Sequence, residues 1–269
     1  MEINGSRALL TGATGGLGRA IASELADAGA KLILSSRKAD ELEALAATLP
    51  GAGHRTIVAD LAVEGAVDDL IAEAGDYEIL LANAGVPGGP AIERNQAKAI
   101  TRVVLLNLEV PMLMAAAARG PMLERGSGQM VFISSLAGKA IPAGSALYAA
   151  TKAGLRAFAL GLRSDLHDTG VGVSTINPGF VREAGMFHES GASSPPGFGT
   201  AAPEDVGRAV RDAIAGDRGE IDVAPIQQRA LVNFAYHFHS LSKRLERAAG
   251  VPRLSEQIGA GRDSPEDAE

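Results

Sequence analysis

Short apolar runs rich in leucine and β-branched residues alternate along this chain with alanine-rich stretches of helical period. No other feature constrains the fold as much. The runs are Arg7 to Thr11, Lys31 to Ser35, Thr56 to Ala59, Ile79 to Ala82, Met130 to Ser134, Val171 to Ile176 and Ile221 to Val223. Between them apolar residues recur at spacings of three and four, as in Leu17, Ile21, Leu25 and Ala28, in Leu42, Leu45 and Leu49, and in Leu155, Phe158, Leu162 and Leu166. Strands separated by helices require right-handed crossovers and a parallel sheet covered on both faces, and strands buried on both faces read as continuous apolar runs. The expectation is an α/β fold: a doubly wound seven-stranded parallel sheet with helices on both faces and an extra C-terminal helix. No Pro- or Ser-rich linker divides the first 225 residues, so 1–225 reads as one domain, 226–258 as its helical extension and 259–269 as a disordered tail. Residues 183–200, rich in Gly, Ser and Pro after the sixth strand, have the composition of a substrate lid.

Composition removes several classes of function. The chain has no cysteine, hence no disulfide framework, thiolate metal site or cysteine nucleophile, which fits a reducing, cytoplasmic setting. A net charge of −7 has the wrong sign for work on phosphate backbones, so no nucleic-acid partner is expected. The N-terminus has neither the basic nor the apolar segment of an export signal. The longest apolar stretch, Val103 to Ala118, is broken by Asn107, Glu109 and Pro111, so no transmembrane segment is expected. The histidines at 54, 167, 188, 237 and 239 do not have metal-ligand spacing, and no metal is expected; His188, on the lid, reads as a substrate contact or a solvated loop residue.

The first strand runs into Thr11-Gly12-Ala13-Thr14-Gly15-Gly16-Leu17-Gly18, which opens directly into a helix. Glycines there permit a tight turn and close approach of the backbone to a pyrophosphate, which the free N–H groups of the helix N-terminus attract. The second strand ends in Ser35-Ser36-Arg37, where such a fold reads the adenosine ribose. An acid there would accept from the 2′-hydroxyl, whereas Arg37 offers a planar charged fork to a 2′-phosphate. That favours NADP(H), with NAD(H) the alternative if Arg37 only supports the next helix or faces solvent. Further on, Tyr148-Ala149-Ala150-Thr151-Lys152 opens a helix. At i and i+4 the pair shares a face, so the ammonium can draw the phenol from its usual pKa of about 10 toward neutrality, as a general acid requires. Ser134-Ser135 ends the fifth strand thirteen positions before Tyr148, Asn83-Ala84-Gly85 follows the fourth strand, and Asn107 lies on the next helix. In an open parallel sheet, ligands sit at the carboxyl ends of the strands, where these turns fall.

These motifs, with Asp60-Leu61 after the third strand and Asn177-Pro178-Gly179 after the sixth, make the sequence resemble a short-chain dehydrogenase/reductase with a single Rossmann domain, over roughly residues 5–225. The resemblance implies a catalytic set of Asn107, Ser135, Tyr148 and Lys152. Tyr148 would give a proton to a substrate carbonyl oxygen as hydride arrives from the nicotinamide, or take one from an alcohol in reverse. Ser135 would orient that oxygen, Lys152 would hold the nicotinamide ribose and lower the Tyr148 pKa, and Asn107 would hold a relay water or else cap or distort its helix. Implied cofactor contacts are Gly12, Thr14, Gly16, Leu17, Gly18, Ser36, Arg37, Asp60, Leu61, Asn83, Ala84, Gly85, Tyr148, Lys152, Pro178, Gly179 and Val181, with Asn83 equally readable as structural. A homodimer or homotetramer, packed through the helices after strands four and five, is implied as well.

Two departures from the family pattern stand out. Five positions past Pro178 the family commonly has a threonine that holds the nicotinamide carboxamide, and here stands Glu183; backbone contacts from Val181 could serve instead, with the carboxylate turned outward to Arg182. After the seventh strand, Leu231, Phe234, Phe238, Leu241 and Leu245 form one apolar stripe followed by Lys243, Arg244 and Arg247. That stripe is expected to cover the chain's own core or a partner subunit; the alternative is a basic helix at a membrane surface or beside a hydrophobic substrate entrance. The sequence reads as an NADP(H)-dependent oxidoreductase interconverting a carbonyl and a secondary alcohol on an apolar small molecule. The alternatives are NAD(H) use by the same chemistry and a cofactor-binding sensor or scaffold without turnover.

Overall fold

The structure, a computed structural model, describes residues 1–88, 96–142, 144–183 and 199–248. Seven strands, β1 (Arg7–Thr11), β2 (Lys31–Ser36), β3 (Arg55–Val58), β4 (Ile79–Ala82), β5 (Gly128–Ile133), β6 (Val171–Pro178) and β7 (Glu220–Val223), form one sheet in the order β3-β2-β1-β4-β5-β6-β7. Every pairing is parallel, with registers such as Leu9 opposite Ile33 and Leu80. The chain builds outward from β1 to β3 and returns to the other side of β1 with β4. The crevice at the carboxyl ends of β1 and β4 is therefore the topological switch point, where such sheets bind ligands.

The helices are α1 (Gly16–Asp27), α2 (Ala39–Thr48), α3 (Ala66–Ala74), α4 (Ala97–Val104), α5 (Val110–Arg125), α6 (Ala137–Ala140), α7 (Ala146–Asp165), α8 (Pro203–Gly216), α9 (Ile226–His237) and α10 (His239–Ala248), with a π-helical turn at Leu105–Glu109 between α4 and α5. Alternate strand residues point to opposite faces, so there are two apolar layers. Leu10, Leu34, Leu81 and Ile133 pack with Ile21 and Leu25 of α1 and with Val206 and Val210 of α8. Leu9, Ile33, Leu80 and Phe132 pack with Met114 of α5 and Leu155 of α7, and Phe132 meets Phe158 edge to face at 5.7 Å. Each such side chain stabilises the fold by roughly 1.5–3 kcal/mol. The helical run Ala97–Arg125 is long and apolar enough to cross a membrane by length and composition, and it buries Val110, Met114, Ala115, Ala118 and Met122.

The C-terminal region differs from expectation. Instead of one helix carrying the apolar stripe there are two, broken at Phe238, whose φ of −124° and ψ of 51° leave the helical region. Leu231, Phe238, Leu241 and Leu245 are exposed, so the stripe does not cover the chain's own core. The buried residues of α9 are Gln228 and Ala235. The proposed lid lies mostly, and His188 and the tail 259–269 entirely, outside the described residues.

Candidate active site

The glycine turn between β1 and α1 is built by close backbone approach. Gly12 has φ +64°, and a Cβ there would come within 2.9 Å of the Ala84 Cα; a Cβ on Gly18 would lie 2.2 Å from the Gly12 carbonyl oxygen. Both positions therefore require glycine. The N-cap of α1, Gly15, places no side chain on the first turn, so helix N–H groups at Gly16, Leu17 and Gly18 face the crevice beside Thr14 without a competing cap. Such an arrangement can hold an anion through backbone alone. Asn83 proves to be a staple within it: its Nδ2 donates to the carbonyls of Thr11 at 3.0 Å and Gly12 at 3.1 Å. The buried Thr11 hydroxyl returns the clamp, accepting from the backbone N–H groups of Asn83 and Ala84 at 3.2 Å each. The motif contains Thr11, but its role depends on β4 lying alongside, which only the fold shows.

At the outer end of β2, the Ser36 hydroxyl accepts from the Lys38 N–H at 3.2 Å. Lys38 and Arg19 both pair with Glu41, at 2.7 and 2.9 Å, and first the Lys38 hydrogen bond, then that of Arg19, hold this carboxyl below its usual range. Arg37 is exposed and makes no ion pair or hydrogen bond among the described residues. Of the next pair, Asp60 is exposed and accepts from the Ala62 N–H at 3.0 Å, while Leu61 is buried in the apolar layer.

Across the crevice, α7 brings Tyr148 and Lys152 together. Lys152 is buried, with Nζ 5.8 Å from the centroid of the Tyr148 ring and donating to the Ile133 carbonyl at 2.8 Å. Burial pushes its ammonium down to about 8, because the charged form loses its hydration. Asn107 lies in the π-helical turn and is fully buried. Its Oδ1 accepts from the Val86 N–H at 2.8 Å, and its Nδ2 donates to the Val86 carbonyl at 2.9 Å and to Thr151 Oγ1 at 3.3 Å. With both amide protons engaged, the side chain is a clamp on the loop after β4, and a proton relay here would run through backbone. Thr151 closes the circuit by donating to the Tyr148 carbonyl at 2.8 Å. Gly85 completes the opening: a Cβ there would lie 3.0 Å from Asn107 Oδ1 and 3.6 Å from Lys152 Nζ. Ser134 is structural, donating to the Lys152 carbonyl at 2.8 Å. Ser135 Oγ accepts from the Ala137 N–H at 3.1 Å and makes only a long 3.4 Å contact to the Pro178 carbonyl, so its proton is readily redirected.

Beyond Pro178 the chain pairs with residues before α8. The Phe180 carbonyl accepts from the Ala201 N–H at 2.8 Å, and the Arg182 N–H donates to the Ala201 carbonyl at 3.0 Å. In this parallel bridge Val181 turns its own N–H and C=O to the opposite side. Glu183 adopts φ +63° and is exposed, with Oε1 3.4 Å from Arg182 Nε. The carboxylate is thus turned outward to its neighbour.

Sequence reasoning missed a charge cluster behind Ser135. Lys139, largely buried, contacts Glu220 at 2.8 Å and Asp222 at 2.6 Å; Arg156, on α7, contacts Glu220 at 2.5 Å. Asn177 donates to both carboxylates, at 2.8 and 2.9 Å. Burial alone would raise the Glu220 carboxyl, but hydrogen bonds and charge from Arg156 and Lys139 outweigh it and hold the pKa at about 2. The cluster joins residues far apart in sequence, and no local motif announces it. A separate cleft of about 450 Å³ between α8 and β7, lined by Asp205, Arg208, Asp212 and Arg218 among others, is bordered by Asp222 of this cluster and by Ala201, and contains neither Tyr148, Lys152 nor Ser135.

Residues 6–194 match the family model described as short chain dehydrogenase. The chain belongs to the short-chain dehydrogenase family. It is 33% identical over 227 residues to the ketoacyl reductase HetN of Nostoc sp., covering 82% of this chain and 79% of that one. A solved putative β-ketoacyl-ACP reductase is 30% identical, with a TM-score of 0.75 over 83% of this chain and 98% of its own. A short-chain dehydrogenase from Sphingobium yanoikuyae, solved in complex with NADPH, is 27% identical, with a TM-score of 0.74 over 81% of this chain and 87% of its own. This short-chain dehydrogenase is an NAD(P)-dependent oxidoreductase acting on CH–OH groups. Its residues fit the cofactor: glycines where a Cβ would fill the crevice, an uncapped helix N-terminus for the pyrophosphate, and a lysine buried next to a tyrosine.

Proposed function

We propose that this dehydrogenase reduces a ketone on an apolar small molecule with NADPH, through Tyr148, Ser135 and Lys152. The observation that carries the reading is the buried Lys152 ammonium set against the Tyr148 ring. When bound, the nicotinamide supplies hydride to the carbonyl carbon. Tyr148 gives its phenolic proton to the carbonyl oxygen, and the Ser135 hydroxyl donates to the same oxygen as negative charge develops on it. Lys152 favours the phenolate that remains and would hold the ribose hydroxyls; Asn107 keeps the loop after β4 in place. Val181 would hold the carboxamide through its backbone, which would remove the need for a threonine at position 183. Arg37, with no partner among the described residues, supports NADPH over NADH, as does the NADPH-bound relative. Relatives that are ketoacyl reductases support a ketone. A homodimer or homotetramer belongs to the same proposal, since α7 exposes the small residues Ala146, Ala150, Ala157 and Gly161, which would let a second helix approach closely.

The test is oxidation of NADPH and NADH across ketones graded by chain length and ring size. The expected result is turnover with NADPH, lost by about 10²–10⁴-fold in Tyr148→Phe, and a shift toward NADH in Arg37→Asp. Unchanged cofactor preference in Arg37→Asp would remove the NADPH assignment, and an active Tyr148→Phe would remove the mechanism.

A further inference from the structure

Helix α9 buries a polar residue while two of its large apolar ones face solvent: Gln228 is 4% exposed, whereas Ile226 is 69% and Leu231 43% exposed. A buried carboxamide costs stability unless both its ends are bonded. Gln228 Nε2 donates to the Gly199 carbonyl at 2.7 Å, and Oε1 accepts from the Phe180 N–H at 3.4 Å. One side chain thus joins the two strand stems that pair through Val181 and Ala201. Gly179 makes room for it, since a Cβ there would lie 2.4 Å from Gln228 Oε1, and the Gly179 N–H is fixed on the Val223 carbonyl at 2.9 Å. A helix needing only an anchor would insert Leu231; this one inserts the group that sets the backbone at 179–181.

We propose that Gln228 is a positioning residue for the nicotinamide end of the cofactor, acting through the Gly179–Val181 backbone. The proposal rests on the placement of the carboxamide at Val181 given above. It makes the C-terminal helices, which carry no family motif, part of the reaction geometry. Two ligands separate this role from simple support of the fold: the dinucleotide, as NADPH or NADH, whichever the wild type binds more tightly, and its counterpart lacking nicotinamide, 2′-phospho-ADP-ribose or ADP-ribose. In Gln228→Met, calorimetric affinity for the dinucleotide is expected to fall about tenfold, the equivalent of one good hydrogen bond, with affinity for the counterpart unchanged. Should Gln228→Met lose its cooperative melt, Gln228→Asn is read in the same way. Equal weakening of both ligands, or of neither, overturns the proposal. Wild-type protein that bound both ligands equally would overturn the carboxamide placement itself, and the proposal with it.

Discussion

Helices α1 and α7 line opposite walls of the same crevice, yet they contribute by different physics. The buried face of α1 is Gly18, Ile21, Ala22, Leu25 and Ala26, and what it presents to a ligand is backbone. The buried face of α7 includes Leu147, Thr151, Lys152, Leu155 and Ala159, so polar side chains needed for chemistry sit within the packing face itself. The first arrangement combines stability with binding at no conflict. The second places a charge in the interior, and the protein is less stable for it.

The sharpest way to break the contrast is Leu25→Ala on α1. It should cost about 2–5 kcal/mol of stability through the cavity it leaves, while kcat measured well below the melting temperature stays near wild type. Denaturant unfolding and steady-state kinetics together decide it, and a large fall in kcat would show that α1 side chains do more than pack. Lys152→Met on α7 should do the reverse, abolishing most activity while raising the melting temperature at pH 7. The sign follows from the lowered pKa. The unfolded lysine keeps its proton up to about 10.4, whereas the buried one loses it at about 8. Below pH 8 the full burial penalty is present, and from 8 to about 10.4 the unfolded state binds more protons, so wild-type stability gains from this group as pH rises. The stabilisation by Lys152→Met should therefore shrink over that interval. A melting difference that did not change with pH would remove the buried-charge explanation.

A smaller effect is expected from the cluster beneath α7. Glu220 is ionised in the fold down to about pH 2, so its contribution is complete above the ordinary carboxyl range and is lost as pH falls through that range toward 2. Glu220→Gln should lower the melting temperature at pH 7 by a few degrees and leave a shallower acid limb. Equal melting of the two proteins at pH 7 would show that the hydrogen bonds from Arg156, Lys139 and Asn177 add nothing net.

The motifs that were legible in the sequence share a property: each depends on near neighbours in the chain. The glycine turn, the Tyr148–Lys152 spacing and the seven apolar runs are set by backbone sterics and by helix and strand periods, and the structure places them at one end of one sheet in the expected order. Strand ends moved by a residue or two; β6, for example, extends to Pro178. Asn107 was legible as a site residue but not as a clamp on Val86, because that bond spans 21 positions.

The C-terminal stripe shows the opposite case. Its spacing is helical, and the spacing alone left the chain's own core and a partner subunit both open, because periodicity reports only that a helix has an apolar face. Which face docks is decided by what the rest of the fold offers, and here the stems at Phe180 and Gly199 offer an N–H and a C=O to which Gln228 bonds. Thus sequence by itself determined the elements, the doubly wound order and the chemical groups at the crevice, since local geometry and apolar patterning are short-range. Tertiary structure alone decided that Asn83 and Thr11 staple the glycine turn and that Glu220 is held ionised between Lys139 and Arg156. Those outcomes depend on hydrogen-bond partners and burial, which arise only when distant segments meet.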